Sequence, residues 1–561
     1  MKKLSNNNGK KWWKSIKQML GLSKSENLNV YQALADAEGL GSMNILIEKV
    51  ADFFYQVSSH LNPIDICDPI LYTTYEIPDQ FIIPVSKVKS KFDKLSIGKA
   101  PGPDGVPPWI LREFSDYLAE PFASIFNSAI QQGMPSAYKQ QTTIPIPKKQ
   151  VPKQIETDLR PIALTAIASK VLESFPCSWA SEIIFDTIGS SQYGNQKGSS
   201  TTDALIDLIH FVAETTDKPG KHVRALLCDY SKAFDLVNHN IILQKLRDQG
   251  LPEFLLKWFA SFLINRQQTV RMKETISTPR NMQGGAPQGT LTGPLTFISY
   301  INDLQFDSPV RVIKYVDDTT ILSPVTDPHN TLPQEAADHL SQWSSLNDMR
   351  LNDSKTKEII FSFSRKSLVF PNIKINGTSI EQVESVKLLG LTIQNDLKWN
   401  VHIDQTIKKA RKRLFFLSQL KRAGISKSDL LTVYKSLINP VLNYGAEVFH
   451  AALPKYLSDD LEGIQKMALR IIASSPSSSY EELLQQFNMA SLKDQRLLKC
   501  KNLFEKITTN GNKHKLYSLF PKKCERNYNL RRHRQYENIN CRTKRFKNTF
   551  IPFIIDQFNY V

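Results

Sequence analysis

Apolar residues along this chain recur with two different periods, and the change from one to the other divides it. Residues 30–60 carry apolar positions at helical spacing and predict helix. From Ile83 onward, helical segments alternate with short β-rich runs: VRALLCD at 223–229, QTVRM at 268–272, VRVIKYV at 310–316, EIIFSFS at 358–364 and VKLLGLTI at 386–393. Turn residues bound these runs and helices lie between some of them, which predicts an α+β unit with a largely antiparallel sheet. After residue 400 the strand pattern stops. Ile407, Ala410, Leu414 and Leu417 recur at three- and four-residue spacing, with Lys408, Lys409, Arg411, Lys412 and Arg413 on the remaining faces. That predicts a helix with one core stripe and a strongly basic surface. A further helical stretch covers 430–449, with Ser426 and Asp429 spaced for a capping box at its start and Pro440 interrupting or kinking it. The serine-rich SSPSSS at 474–479 is the best boundary in the last third, and residues 1–28 read as a polar, basic tether.

Composition narrows the class. With 561 residues, 22% charged and 10% aromatic, the chain is too long for a small module and too ordinary for wholesale disorder or a fibrous repeat. No run approaches the roughly 18 consecutive apolar residues of a membrane span, and the first residues lack a signal-peptide core, so an intracellular protein is expected. The six cysteines form no CxxC pair, which argues against structural zinc and against a disulfide framework. Cys524, His533 and Cys541 cluster in the basic tail, but their spacing fits no zinc pattern. Charge is more informative by position. Residues 401–561 hold 29 Lys and Arg against 13 Asp and Glu, whereas residues 1–400 hold 42 against 41. A one-sided excess of this size, with no amphipathic anchor, points to nucleic acid rather than a membrane surface.

The sharpest local feature is Tyr315-Val316-Asp317-Asp318, which follows an apolar-alternating run. Adjacent carboxylates at the tip of a buried hairpin repel one another unless a cation neutralises them, and a hard divalent metal does so. Neighbouring strand residues point to opposite faces, so one of the pair, taken here as Asp317, is the expected ligand. Asp229 ends the apolar strand ALLCD. If the two strands are neighbours, Asp229 and Asp317 can share two magnesium ions and serve phosphoryl transfer. The alternative is a pair of Asp-containing turns on a solvated edge.

The ordered set of motifs is GKAPGPDGVPPWIL at 98–111, IPIPKK at 144–149, LRPIALT at 159–165, QYGNQKGSSTTDAL at 192–205, CDYSKAFDLVNH at 228–239, GGAPQGTLTGPL at 284–295, YVDD at 315–318 and LNDSKTK at 351–357. In this order it resembles the reverse transcriptase of non-LTR retrotransposons, the LINE-like and jockey-like elements. The resemblance runs through residues 80–395, continues more weakly through LGLTIQNDLKWNVHI and the basic helices to about 450, and touches YNLR and RTKRFKNTFIP near the C-terminus.

The resemblance implies a right-hand polymerase: fingers and palm over 80–395, a basic helical thumb over 396–475 and a basic C-terminal region over 480–561. It implies that Asp229, Asp317 and Asp318 are the catalytic acids and that the Tyr230 carbonyl completes a metal shell. Phe234, five residues after Asp229, matches an aromatic gate whose ring excludes a 2′-hydroxyl; on the residues alone a core Phe of an amphipathic helix is the favoured reading, and the motif turns the choice to the gate. Arg160 and Lys148 match residues that clasp the triphosphate. Gln288 and Gly289 match the loop against the incoming nucleotide; otherwise Gly284-Gly285-Ala-Pro is simply a turn. Lys355 matches a lysine that protonates pyrophosphate. The 98–105 segment matches a fingertip loop. Implied partners are an RNA template, a DNA primer and deoxynucleoside triphosphates, with two Mg²⁺ ions, or Mn²⁺ in their place, as cofactor.

Two departures accompany the match. Neither the upstream nor the downstream endonuclease typical of the family fits, so the chain reads as a truncated copy or a polymerase half whose nicking activity is supplied in trans. YVDD stands where FADD is more common, with both acids retained. Two other classes remain open from sequence: a non-catalytic nucleic-acid-binding relic, and a maturase-like RNA-binding cofactor. Location in the nucleus or in a cytoplasmic ribonucleoprotein is left open, since KKARKR at 408–413 reads better as a duplex-binding face than as a nuclear signal.

Overall fold

The computed structural model describes residues 30–65, 67–287, 289–474, 477–524 and 534–559. The tether at 1–28, Gln288, the YNLR run and His533 lie outside the described residues. The strands are β1 (Gln140–Pro147), β2 (Leu159–Leu164), β3 (His222–Cys228), β4 (Gln267–Met272), β5 (Thr275–Ile276), β6 (Arg280–Asn281), β7 (Arg311–Tyr315), β8 (Asp318–Val325), β9 (Lys357–Phe361), β10 (Lys374–Ile375), β11 (Thr378–Ser379), β12 (Glu381–Gln382), β13 (Ser385–Leu388) and β14 (Leu391–Gln394). The fold is α+β, but the strands do not form the one sheet expected from the sequence. They divide between two compact units that interleave along the chain: Met1–Gly189 with Tyr230–Leu304 and Gln342–Arg350, and Ser190–Asp229 with Gln305–Ser341 and Leu351–Val561.

In the first unit, β1 pairs antiparallel with β2 and parallel with β4, whose other partners are β5 and β6. Pro145 and Pro147 are tolerated in β1 because its pairing with β4 ends at Thr143, so the missing N–H groups break no ladder on that side. Residues 30–60 are helical as expected, in two pieces, Val30–Ala37 and Met43–Gln56, the second capped by the Ser42 hydroxyl. Their apolar stripe, Leu34, Leu46, Ile47, Val50 and Phe54, packs on Ile155, Leu159, Val270 and Met272.

In the second unit, the sheet runs β12-β9-β3-β8-β7, antiparallel except at β12. β3 is central, which is why VRALLC reads as a continuous apolar run rather than an alternating one. Arg224 interrupts that run and is buried with Glu358 of β9, bidentate at 2.6 and 3.0 Å. VKLLGLTI is a hairpin, β13 and β14, rather than one strand. Leu389 and Gly390 both take positive φ, the geometry of a two-residue turn that matches strand twist.

Past β14 the unit is helical among its described residues, apart from an isolated bridge between Lys523 and Tyr536. The basic helix spans Asn400–Arg422 and buries Ile407, Ala410, Leu414 and Leu417 as expected. The 430–449 stretch is broken: Lys427–Val433, a wider turn at Tyr434–Ile438, then Asn439–Leu442 and Ala446–Phe449. Pro440 lies at this break. Ser426 caps the first piece by accepting from the Asp429 amide. Ser475 and Pro476 of SSPSSS lie outside the described residues; the helices on either side of the segment, Lys455–Ala473 and Tyr480–Gln486, belong to the same unit. None of the described helices is long and apolar enough to cross a membrane.

Candidate active site

The site begins with strand register in the second unit. Cys228 of β3 stands opposite Thr319 of β8. Asp229, one residue beyond Cys228, therefore lies across from Asp318, one residue before Thr319, and the neighbouring strands that the sequence left conditional are observed. Tyr315 pairs with Asp318 to close the β7–β8 hairpin, leaving Val316 and Asp317 as a two-residue turn. Val316 has φ of 60°, a left-handed conformation that costs an L residue about 1–2 kcal/mol and is especially unusual for a β-branched one. Burial of the Asp318 carboxyl, followed by repulsion from Asp317 and Asp229, raises it from 3.8 to about 6.

Neighbouring segments hold this arrangement. The Gln192 side-chain oxygen accepts from the Val316 amide at 3.0 Å and the Gly194 amide at 2.9 Å. A Cβ at Gly194 would stand 2.5 Å from the Val316 nitrogen, so only glycine permits that approach. LNDSKTK wraps the third acid. Asn352 donates its backbone N–H to the Asp229 carbonyl at 2.8 Å and its side-chain amide to Oδ2 at 3.0 Å, while the Asp229 amide donates to the Thr356 hydroxyl at 3.3 Å. Lys355 Nζ sits 3.4 Å from Asp229 Oδ2 on a largely solvent-exposed side chain. Gln192, Gly194 and Asn352 were not singled out from the sequence.

Among the described residues, no group of three or more His, Cys, Asp or Glu side chains stands in ready metal-ligating geometry. The donor chemistry nevertheless fits a hard divalent cation: three carboxylates, close enough to repel one another, on a strand end and a tight turn.

The nucleotide-binding candidates belong to the first unit, which the chain re-enters at Tyr230. The Tyr230 side chain is buried. Phe234 lies on a short 3-10 turn, Ala233–Leu236, not on the amphipathic helix that was the bland alternative. Its ring stacks on buried Phe297 at 4.7 Å, and its carbonyl accepts from the Ala286 amide at 2.7 Å. The turn is thereby tied to GGAPQG. In that loop Gly289 has φ of 105°, and a Cβ there would meet the Ala163 carbonyl at 2.7 Å. Glu173, fully buried in the helix Ile167–Ile184, accepts from the Leu291 amide at 3.0 Å and the Thr292 hydroxyl at 3.3 Å, holding the end of the same loop. Burial raises the Glu173 pKa.

Arg160 is exposed in β2, opposite Ile146 of β1. Lys148, also exposed, follows β1 and donates Nζ to the Thr157 carbonyl at 3.0 Å. The 98–105 segment is a turn closed by the Gly105 amide on the Gly102 carbonyl, and Gly102 packs so closely on Thr165 and Ala166 that a Cβ would not fit.

In the second unit, Lys408, Lys409, Arg411 and Lys412 are exposed along Asn400–Arg422, and Lys408 pairs with Asp404 at 2.6 Å. Arg413 departs from the expected face: its half-buried guanidinium donates to the Leu437 carbonyl at the adjoining wide turn. All six cysteines are free thiols; Cys177, Cys228 and Cys500 are buried, Cys524 and Cys541 half-buried and Cys67 exposed.

Comparison with known proteins follows the same line. Residues 146–393 match the reverse transcriptase (RNA-dependent DNA polymerase) family, and residues 399–439 match a short part of the N-terminal region of the alkylated DNA repair protein alkB homolog 8 family. The chain is 27% identical over 425 residues to the RNA-directed DNA polymerase from mobile element jockey of Drosophila melanogaster, covering 72% of this chain and 45% of that protein. It is 24% identical over 421 residues to the probable RNA-directed DNA polymerase from transposon BS of the same fly, covering 72% and 46%. A third relative, the probable RNA-directed DNA polymerase from transposon X-element, is 26% identical over 392 residues, covering 67% and 42%. The matched region spans a little under half the length of these relatives.

Proposed function

We propose, for a chain whose residues 146–393 match the reverse transcriptase family and which is similar to the RNA-directed DNA polymerases of jockey and related mobile elements, that it copies RNA by adding deoxynucleotides to a DNA 3′-hydroxyl. One observation carries this reading: Asp229 stands across from Asp318 on neighbouring strands, with Asp317 in the turn between β7 and β8. In this reading residues from about 80 to 215 are the fingers, residues from about 216 to 395, with the β3 sheet, are the palm, and the basic helices from 396 to 475 are the thumb.

Asp229, Asp317 and the Tyr230 carbonyl would hold two Mg²⁺ ions, with Asp318 beside them. When bound, the ions supply charge neutralisation at the transferring phosphoryl group and favour the ionised primer hydroxyl. Asn352 keeps Asp229 from rotating away. Phe234, braced by Phe297, would present its ring beneath the sugar and leave no room for a 2′-hydroxyl. Arg160 would clasp the triphosphate as a bidentate guanidinium, Lys148 would do so as a mobile ammonium, and Gln288 and Gly289 would lie along the nucleotide. Lys355 would give a proton to departing pyrophosphate, a role suited to an exposed ammonium already drawn to Asp229. Lys408, Lys409, Arg411 and Lys412, with Arg413 supporting their helix, would grip duplex phosphates.

Primer extension on an RNA template with Mg²⁺ and deoxynucleotides tests this. Extension by the wild-type chain and none by Asp317→Ala is the expected result. Salt-sensitive RNA binding without extension by either would overturn it.

A further inference from the structure

The Val316–Asp317 turn does not stand alone. The chain at 190–194 runs beside β7 as an extra edge: the Lys314 amide donates to the Ser191 carbonyl and the Tyr193 amide to the Lys314 carbonyl, both at 2.8 Å. Gln192 then reaches the Val316 amide, and Gly194 lies against the turn's backbone. Tyr193 fixes the segment from its other side, donating its hydroxyl to Asp207 at 2.8 Å, and Asp207 pairs with Arg311 of β7 at 2.6 Å. A residue held in left-handed geometry persists where its surroundings over-determine it, and this segment supplies those surroundings.

The segment is itself held by the last part of the chain. Lys515, the first residue of the short 3-10 helix Lys515–Leu519, donates Nζ to the carbonyl of Gln192 and, at 3.4 Å, to that of Ser190. The same ammonium lies 5.4 Å from the Tyr193 ring centroid. Lys506, on the helix Leu492–Asn510, donates to the Gly198 carbonyl at 2.7 Å. Asp217, at the far end of the helix that follows the segment, accepts from the amides of Arg542 and Thr543 and from the Thr543 hydroxyl.

We propose that the basic C-terminal region is a buttress of the polymerase turn, with Lys515 a positioning residue that acts on Val316 and Asp317 through the 190–194 segment. The role given to the turn rests on the polymerase reading above; the buttress itself does not. The lysine-rich composition after residue 480 thus serves two ends, an electropositive surface and a set of ammonium donors to backbone carbonyls behind the site.

The test compares full-length wild type with Lys515→Met, Lys515→Arg and the control Lys501→Met, whose exposed side chain pairs, among the described residues, with Glu505 on its own helix. Hydrogen exchange read by mass spectrometry is expected to speed up in peptides covering 190–198 and 311–320 in Lys515→Met, to return toward wild type in Lys515→Arg, and to stay unchanged in the control. In primer extension, the half-saturating Mg²⁺ of Lys515→Met should rise by about 10- to 100-fold, the usual cost of losing support behind a metal ligand, with thermal melting unmoved. Unchanged exchange at 311–320 in Lys515→Met overturns the proposal whatever the activity. Should Lys515→Met fail to fold, Lys506→Met replaces it, and unchanged exchange at 190–198 and 311–320 in that variant overturns the proposal equally. If wild type extends no primer, the polymerase reading falls while the exchange data still decide the buttress.

Discussion

At the scale of single residues, the raised Asp318 carboxyl has a definite sign. Its folded-state value lies near 6, above the ordinary 3.8, so in the metal-free chain its ionisation opposes folding above about pH 6, and that cost is relieved as pH falls through 6 toward 3.8. Cation binding needs the ionised form, so half-activating Mg²⁺ should climb as pH drops below about 6. Asp318→Asn should flatten that climb in a Mg²⁺ titration of primer extension repeated across pH. Phe234→Ala removes the ring but leaves Phe297 in place, and competition between ribo- and deoxynucleotides should show ribonucleotide incorporation approaching that of deoxynucleotides. The acids were legible in the sequence because a carboxylate after an apolar strand is a local pattern. Asn352, Gln192 and Glu173 were not, because what each does depends on a partner more than 100 residues away, which no local spacing encodes.

At the scale of elements, the buried Arg224–Glu358 pair ties β3 to β9, five residues before Asp229 along the chain. Arg224→Met strands a fully buried carboxylate and should destabilise the chain by about 3–5 kcal/mol, whereas Arg224→Met with Glu358→Leu should recover most of that loss. Chemical denaturation of the single and double variants measures the difference. The β-rich runs located the core strands β3, β7 and β9 to within a few residues, whereas β8 was not among them. The same reading merged β13 and β14, because Leu389 and Gly390 interrupt the run only through backbone geometry; Tyr444 closes over that turn, donating to the Leu389 carbonyl at 2.9 Å. It also assigned QTVRM to the common sheet, since strand propensity carries no information on which sheet a strand joins.

At the scale of the whole molecule, charge and compactness follow different divisions of the chain. The positive excess lies after residue 400, whereas the two units exchange segments at 189–190, 229–230, 304–305, 341–342 and 350–351. Composition could reveal the first division and not the second, because it records what a segment carries and not where it returns. Replacing Lys408, Lys409, Arg411 and Lys412 with Gln should weaken duplex binding uniformly across sequences. It should also lower the slope of log affinity against log salt by up to roughly 3–4, about 0.9 for each phosphate no longer neutralised. The central claim is that Asp229 and Asp317, with the Tyr230 carbonyl and with Asp318 beside them, gather divalent cations for DNA synthesis, and paramagnetic resonance of Mn²⁺ titrated into wild type and Asp317→Ala tests it most directly. The account predicts saturable Mn²⁺ binding that Mg²⁺ displaces and that is lost in the variant. Equal binding by the two proteins would contradict it.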